Sequence, residues 1–412
     1  MSAVTLVKYC IIGGGVAGVT AAERIRELDK NGEICIISAE SELLYSRVLL
    51  PDYISGKVDR AKCFLRTRES YHAQRIQLRL GEEVTEIAHT DRTLTTNKGA
   101  VITYEKLLIA TGGRPHQWSV PGSDALPVFR LQTIADADAI SQFVADHPGA
   151  RMTVVGGGFI SMESMEALAL KGIHVTLLVR EECLFQHLMP ARAHELLWAE
   201  MKEHSVTLVS NCAIERIEVV NGEHVLVAGS HRIVTDAVVV GVGIERDLSV
   251  VRAAGIPAQR GVIVDEYLAS HIPHVYAAGD IAEYADLTFG CSLVLGNWTA
   301  SVLMGRVAGE NMAGGNVAYQ HIPLYALEHF GVKIQIIGIP STAGGFENIE
   351  ICDVPRRTYL SLSLKNSILV GAVTMNRGRD LGVILKWMKE RKNLSTVADQ
   401  LRSGVALAAI TP

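Results

Sequence analysis

The chain is poor in aromatic residues, 6% Phe, Trp and Tyr, and it has no basic stripe, its formal net charge at neutral pH being −5. Nucleic-acid surfaces need clustered Lys and Arg, so that class of partner is excluded. The seven cysteines, Cys10, Cys35, Cys63, Cys183, Cys212, Cys291 and Cys352, include no Cys-x-x-Cys and no zinc-like spacing, and their number is odd. Free thiols in a reducing compartment are expected, with no structural metal. No stretch reaches 18 uncharged apolar residues, so no spanning helix is expected. The segment before Lys8 is too short for a secretory leader, and the apolar run after it passes into glycines where a cleavage site would stand. The cytoplasm is the expected location.

What the chain has is length, 412 residues, enough for two or three domains, and two glycine turns of the same design. In KYCIIGGGVAG, residues 8–18, an apolar strand meets Gly13, Gly15 and Gly18, and VTAAERIREL continues as a helix to about Leu28. A second strand, EICIISAE, ends in Glu40, 22 residues beyond Gly18. Strand, GxGxxG, helix, strand and terminal carboxylate make a dinucleotide-binding pattern. The first glycine forms the tight turn, the second admits a pyrophosphate and the third lets helix pack on strand, while the carboxylate takes a ribose hydroxyl.

The order recurs in RMTVVGGGFISMESMEALALKGIHVTLLVR, residues 151–180, with Gly156, Gly158 and then Ser161 at the third position. Ser is small enough to keep the packing, with a slight displacement of the helix. Val179 stands where the strand-end carboxylate is expected, followed by Arg180 and Glu181. An arginine there accommodates a 2′-phosphate, so the sequence leans toward NADPH; a solvated surface charge is the other reading of Arg180. Beyond, AVVVGVG, GVIVDEYL and HVYAAGD read as strands ending in glycine or at a turn, and GNWTASVLMGRVAGENMAG as a helix. From about Tyr319 the pattern changes to alternating strands, VKIQIIGI, RTYLSLSLK and ILVGAVTM, closed by two helices.

Taken in order, GGGVAG, LLIATGGRP (107–115), GGGFIS, DAVVVGVG (236–243) and HVYAAGD (274–280) resemble the two-dinucleotide flavoproteins, oxidoreductases with one FAD and one NAD(P)H site. The resemblance covers nearly the whole chain. It implies an α/β fold with two Rossmann-like dinucleotide-binding domains plus a small C-terminal α+β interface domain. Residues 1–120 and 245–318 would bind FAD, 121–244 NAD(P)H, and 319–412 would form the interface of a homodimer. Gly13, Gly15 and Gly18 would then hold the FAD pyrophosphate, Glu40 its adenosine ribose and Asp280 the ribityl chain. Arg47, Thr111 and Gly112 would lie near the flavin nucleotide. Gly156, Gly158 and Ser161 would take the NAD(P)H pyrophosphate, with Gly241 and Gly243 along the nicotinamide approach. Glu163 matches a glutamate where nicotinamide meets flavin.

The departures narrow the chemistry. Disulfide reductases and peroxidases of this family carry cysteine shortly after the first acidic strand, but between Glu40 and Gly56 there is none. The chain is instead similar to the branch of ferredoxin, rubredoxin and nitrite reductase flavoproteins, which pass electrons to a separate protein or small acceptor. There a lysine pairs with the glutamate matched by Glu163; here Asp52 takes its place, facing Glu163 or solvent. Trp298 falls where such members set an indole against the flavin, core packing being its other reading. Two alternatives remain at this level. One is a flavin-bearing electron-transfer subunit with weak NAD(P)H use. The other is a quinone-reducing NADH dehydrogenase, whose glutamine-rich helix is missing from TASVLMGRVAG. The basic, amphipathic ILKWMKERKN raises membrane-surface binding as a further possibility.

Overall fold

A computed structural model describes residues 5–185, 188–341, 345–403 and 405–410. The first motif becomes strand β1 (Thr5–Ile12), helix α1 (Val16–Leu28) and strand β2 (Ile34–Ser38), followed by helix α2 (Leu50–Ser55) and strand β3 (Val101–Ile109). The second becomes β4 (Arg151–Val155), α3 (Phe159–Leu170) and β5 (His174–Leu178), followed by β6 (Ala237–Val240). Helix α4 (Trp298–Met312) precedes strands β7 (Leu324–His329), β8 (Val332–Gly338) and β9 (Ile368–Met375), and helix α5 (Leu381–Lys389).

These elements form two compact units, whose described residues fall within 1–48, 59–114 and 244–321 for the first and 49–58, 115–243 and 322–412 for the second. In the first, β1 lies between β2 and β3, parallel to both, with Ile12 in register with Ile37 and Ile109. Tyr9 to Ile12 and Ile34 to Ile37 are buried, as expected of central parallel strands covered on both faces. Val275–Ala277 joins β3 in parallel, while Thr93–Thr96 and Val84–Ala88 extend the sheet antiparallel.

In the second unit, β4 lies between β5 and β6 in a five-stranded parallel sheet, with Val155 in register with Leu178 and Val240. A separate five-stranded antiparallel sheet contains β7, β8 and β9. Helix α5 buries Ile384, Trp387 and Met388. Its apolar side is therefore used within the protein, which takes away the membrane-facing role its sequence suggests. Among the described residues no helix is long and apolar enough to cross a membrane.

The sequence suggests three domains and the contacts give two units. The C-terminal sheet groups with 115–243 because β7 carries Tyr325 onto the ring of Phe159, stacked with centroids 4.5 Å apart, and His329 onto Glu166. Residues 49–58, expected with the first half, join the second unit through α2, where Tyr53 donates a hydrogen bond to Asp138 at 2.9 Å.

Candidate nucleotide-binding sites

In the first unit, β1 ends where Gly13 donates its N–H to Ile37 at 2.8 Å. Gly13 has φ +118°, and a Cβ there would lie 2.1 Å from the Ala110 carbonyl oxygen, so only glycine fits the turn. Helix α1 then starts with no side chain capping its N-terminus and no acidic residue in its first turn. The space beside Gly15 is open. Free amides, the positive end of the helix dipole and an uncluttered backbone fit a pyrophosphate.

Gly14, Gly15, Ser38, Glu40, Tyr45, Arg47 and Trp298 line one cleft. Glu40 accepts hydrogen bonds from both the Tyr45 hydroxyl and the Arg47 guanidinium. These partners hold the carboxylate in place at the end of β2. Tyr45 was not singled out by the sequence; its only signal there is its position two residues before Arg47. Asp280 is half-buried, and loss of solvent around its carboxyl pushes it up, while the Ser301 hydroxyl, donating at 3.0 Å, and the charges of Arg246 and Arg47 draw it back. Thr111 is exposed just past β3, and Gly112 follows in the left-handed region.

The second unit repeats this geometry. Gly156 donates to Leu178 at 2.9 Å, as Gly13 does to Ile37. Helix α3 again begins without a side-chain cap or an acidic first turn, and Gly158 faces open space. Ser161 is fully buried, its hydroxyl donating to Gly241 at 3.0 Å and placed 3.2 Å from the Val155 carbonyl. Serine in the glycine place thus gains partners of its own. Gly243, with φ +98°, accepts the His116 N–H at 3.1 Å.

The matched registers relocate the missing carboxylate. Ile37 pairs with Ile12 and Glu40 lies three residues on; Leu178 pairs with Val155 and Glu181 lies three residues on. Glu181, not Val179, stands in the Glu40 position, because this loop extends further past the strand end than the letters imply. Arg180 is exposed and ion-paired with Glu181 at 2.7 Å.

Glu163 lies on the first turns of α3. Burial, then the negative charges of Asp52 and Glu166, push its carboxyl up to about 7. Asp52 therefore acts on Glu163, and is itself 3.5 Å from the Lys57 ammonium. Burial also raises the Glu166 carboxyl, but hydrogen bonds from His329 and the Phe330 amide outweigh it and leave the group below the usual range. Neither Glu166 nor His329 was anticipated, since the two are 163 residues apart in sequence. Asp52 and Glu163 belong to the second unit, whereas Trp298 and Asp280 belong to the first.

The family model of pyridine nucleotide-disulphide oxidoreductases matches residues 7–305. The chain belongs to this family. It is an oxidoreductase working with FAD and NAD(P)H. It is 30% identical over 375 residues to the 5,5′-dehydrodivanillate O-demethylase ferredoxin reductase subunit of Sphingobium sp., covering 90% of each chain. To the ferredoxin–NAD(+) reductase component of the biphenyl dioxygenase system of Paraburkholderia xenovorans it is 29% identical over 394 residues, covering 95% of each. Its fold is that of the reductase in the crystal structure of the covalent putidaredoxin reductase–putidaredoxin complex, with TM-score 0.89, 21% identity and 98% and 97% coverage.

Proposed function

We propose that this oxidoreductase is the reductase component of a short electron-transfer path, taking hydride from NADH onto FAD and releasing electrons to a separate acceptor protein of the ferredoxin or rubredoxin type. The observation that carries the reading is the pair of uncapped helix N-termini behind matched glycine turns, in a chain with no cysteine between Glu40 and Gly56. Two glycine turns of one design suit two nucleotides, and the segment between Glu40 and Gly56 supplies no thiol to take the electrons onward. Cys63, the next cysteine, is fully buried. Relatives at 30% and 29% identity carry names of ferredoxin reductase components, which supports an external acceptor.

In this reading Gly13, Gly15, Gly18 and the start of α1 bind the FAD pyrophosphate, Glu40 the adenosine ribose, and Asp280 the ribityl chain. Gly156, Gly158, Ser161 and the start of α3 seat the pyridine nucleotide, with Gly241 and Gly243 on the nicotinamide approach and Glu163 holding a proton beside the ring. FAD, when bound, supplies both hydride acceptance and one-electron release. Arg180 favoured NADPH in the sequence. Its ion pair with Glu181, and Glu181's place in register with Glu40, support NADH instead, because a carboxylate binds a ribose diol and repels a 2′-phosphate.

Anaerobic stopped-flow absorbance at the flavin band tests this directly. NADH should bleach the oxidised protein at least tenfold faster than NADPH, and an oxidised ferredoxin should restore the colour. Bleaching by neither nucleotide would move the electron-transfer-subunit reading to first place.

A further inference from the structure

Past the end of β5 the chain turns back over the second glycine turn. Phe185 donates its amide to the Gly157 carbonyl at 3.0 Å, and its ring packs on that of Phe159 with centroids 4.9 Å apart. A Cβ on Gly157 would lie 2.8 Å from Val179 and 3.8 Å from Leu184. Residues 180–185 therefore form a short loop with Glu181 near one end and the glycine turn against the other. The Glu181 carbonyl anchors the first end by accepting the Asn211 amide at 2.9 Å. A side chain anchors the second. Leu184 is fully buried, and its amide donates at 3.2 Å to Nδ1 of His194, itself 5% exposed. His194 lies on the helix Ala191–Glu203, its ring edge-on to Trp198 with centroids 5.8 Å apart. A ring nitrogen that accepts an amide N–H carries no proton, so this contact fixes the imidazole as neutral, with its proton on Nε2.

We propose that His194 is a positioning residue for the pyridine nucleotide: as the buried acceptor for Leu184 it locks loop 180–185 onto the glycine turn, and so sets the spacing between the carboxylate offered to the ribose and the amides offered to the pyrophosphate. The proposal rests on the reading that the second unit seats the pyridine nucleotide, with Glu181 toward its ribose. Ribose and pyrophosphate belong to one ligand, so both are held together only where loop and turn keep a fixed spacing. A loop already ordered spends none of the binding energy on its own ordering. A buried amide without an acceptor is costly, so without Nδ1 the Leu184 end would be drawn off the turn toward water, carrying Glu181 with it. The loss would fall on affinity and spare the hydride step, because the nicotinamide is at the other end of the ligand. A histidine that served packing alone would be replaced without loss by phenylalanine, which fills the same space.

The test is calorimetric titration of the flavin-loaded protein with ADP-ribose, which has the ribose and pyrophosphate but no nicotinamide, beside anaerobic stopped-flow reduction by NADH. His194→Phe fills the ring space without an acceptor. It should weaken ADP-ribose binding about tenfold and leave the limiting rate of flavin reduction within about twofold of the wild type. His194→Asn keeps an acceptor at the same bond separation from Cβ but gives up the ring packing. It should melt at a lower temperature and still bind ADP-ribose as the wild type does. Unchanged affinity in His194→Phe overturns the proposal, as does a loss in His194→Asn as large as in His194→Phe. If His194→Phe does not fold, His194→Ala is judged by the same affinity and rate. Glu181→Ala separates the proposal from the reading beneath it. Weakening by Glu181→Ala alone removes only the positioning role, whereas weakening by neither variant takes the loop off the nucleotide and the reading of this site falls as well.

Discussion

The Ser161 hydroxyl donates to the Gly241 carbonyl oxygen, and a methyl group on Gly241 would lie 2.4 Å from that hydroxyl. In the first unit the corresponding positions are Gly18 and Ala110, the side chain having changed places with the hydrogen. Gly241→Ala should therefore cost about 1–3 kcal/mol of stability by overpacking. Adding Ser161→Gly should return much of it, a coupling that urea denaturation of the two single variants and the double variant would read. Additive losses would show that the two residues do not share the space.

Removing the Glu40 carboxylate takes one partner from Tyr45 and one from Arg47 and, in the function proposed, takes away the ribose acceptor. A hydrogen bond to a charged group contributes about 1.5–3 kcal/mol, so Glu40→Ala should weaken FAD retention roughly tenfold or more. The check is flavin content after dialysis. A variant as yellow as the wild type would place FAD elsewhere.

Glu181→Ala should raise KM for NADH about tenfold and narrow the preference over NADPH, whereas Arg180→Ala should change NADH kinetics little. Steady-state kinetics with both nucleotides separates these outcomes. The opposite ranking would restore the 2′-phosphate role first read from Arg180.

The Glu163 carboxyl is raised from about 4.5 to about 7 in the folded protein. The folded state therefore binds this proton more tightly. Its contribution to stability is full below pH 4.5 and is lost as pH rises through 7. Glu163→Gln should flatten that part of the stability profile in urea titrations at pH 4 to 8.

Asp52 helps to hold that proton, so exchanging its charge should release it. Asp52→Lys should bring the Glu163 midpoint down toward the ordinary carboxylate range in a difference-infrared titration of its carboxyl stretch. An unchanged midpoint would leave burial and Glu166 as the sole causes.

The fold was readable in advance wherever local chemistry decides it. An apolar strand running into GxGxxG leaves little choice of turn, and α1 ends at Leu28, where the pattern puts it. The register of Glu181 was hidden for a local reason as well, since a strand end cannot be fixed to one residue from letters, and in the function proposed one residue decides whether a carboxylate or an arginine meets the ribose. The Glu166–His329 pair was invisible for a different reason. Its significance comes from tertiary contact, and a histidine ending a strand carries no mark of the helix it will meet.

The division of the chain also bears on how the protein is made. The backbone passes between the two units five times, after Val48, Val58, Arg114, Gly243 and His321. No cut in the gene yields either unit as an unbroken fragment. During synthesis the parallel sheet around β4 has all its strands once residue 240 has emerged, whereas the sheet around β1 must wait for Val275–Ala277 to pair with β3. Of these two sheets the one begun first is completed last, leaving part of the edge of β3 open on the ribosome until the later segment arrives.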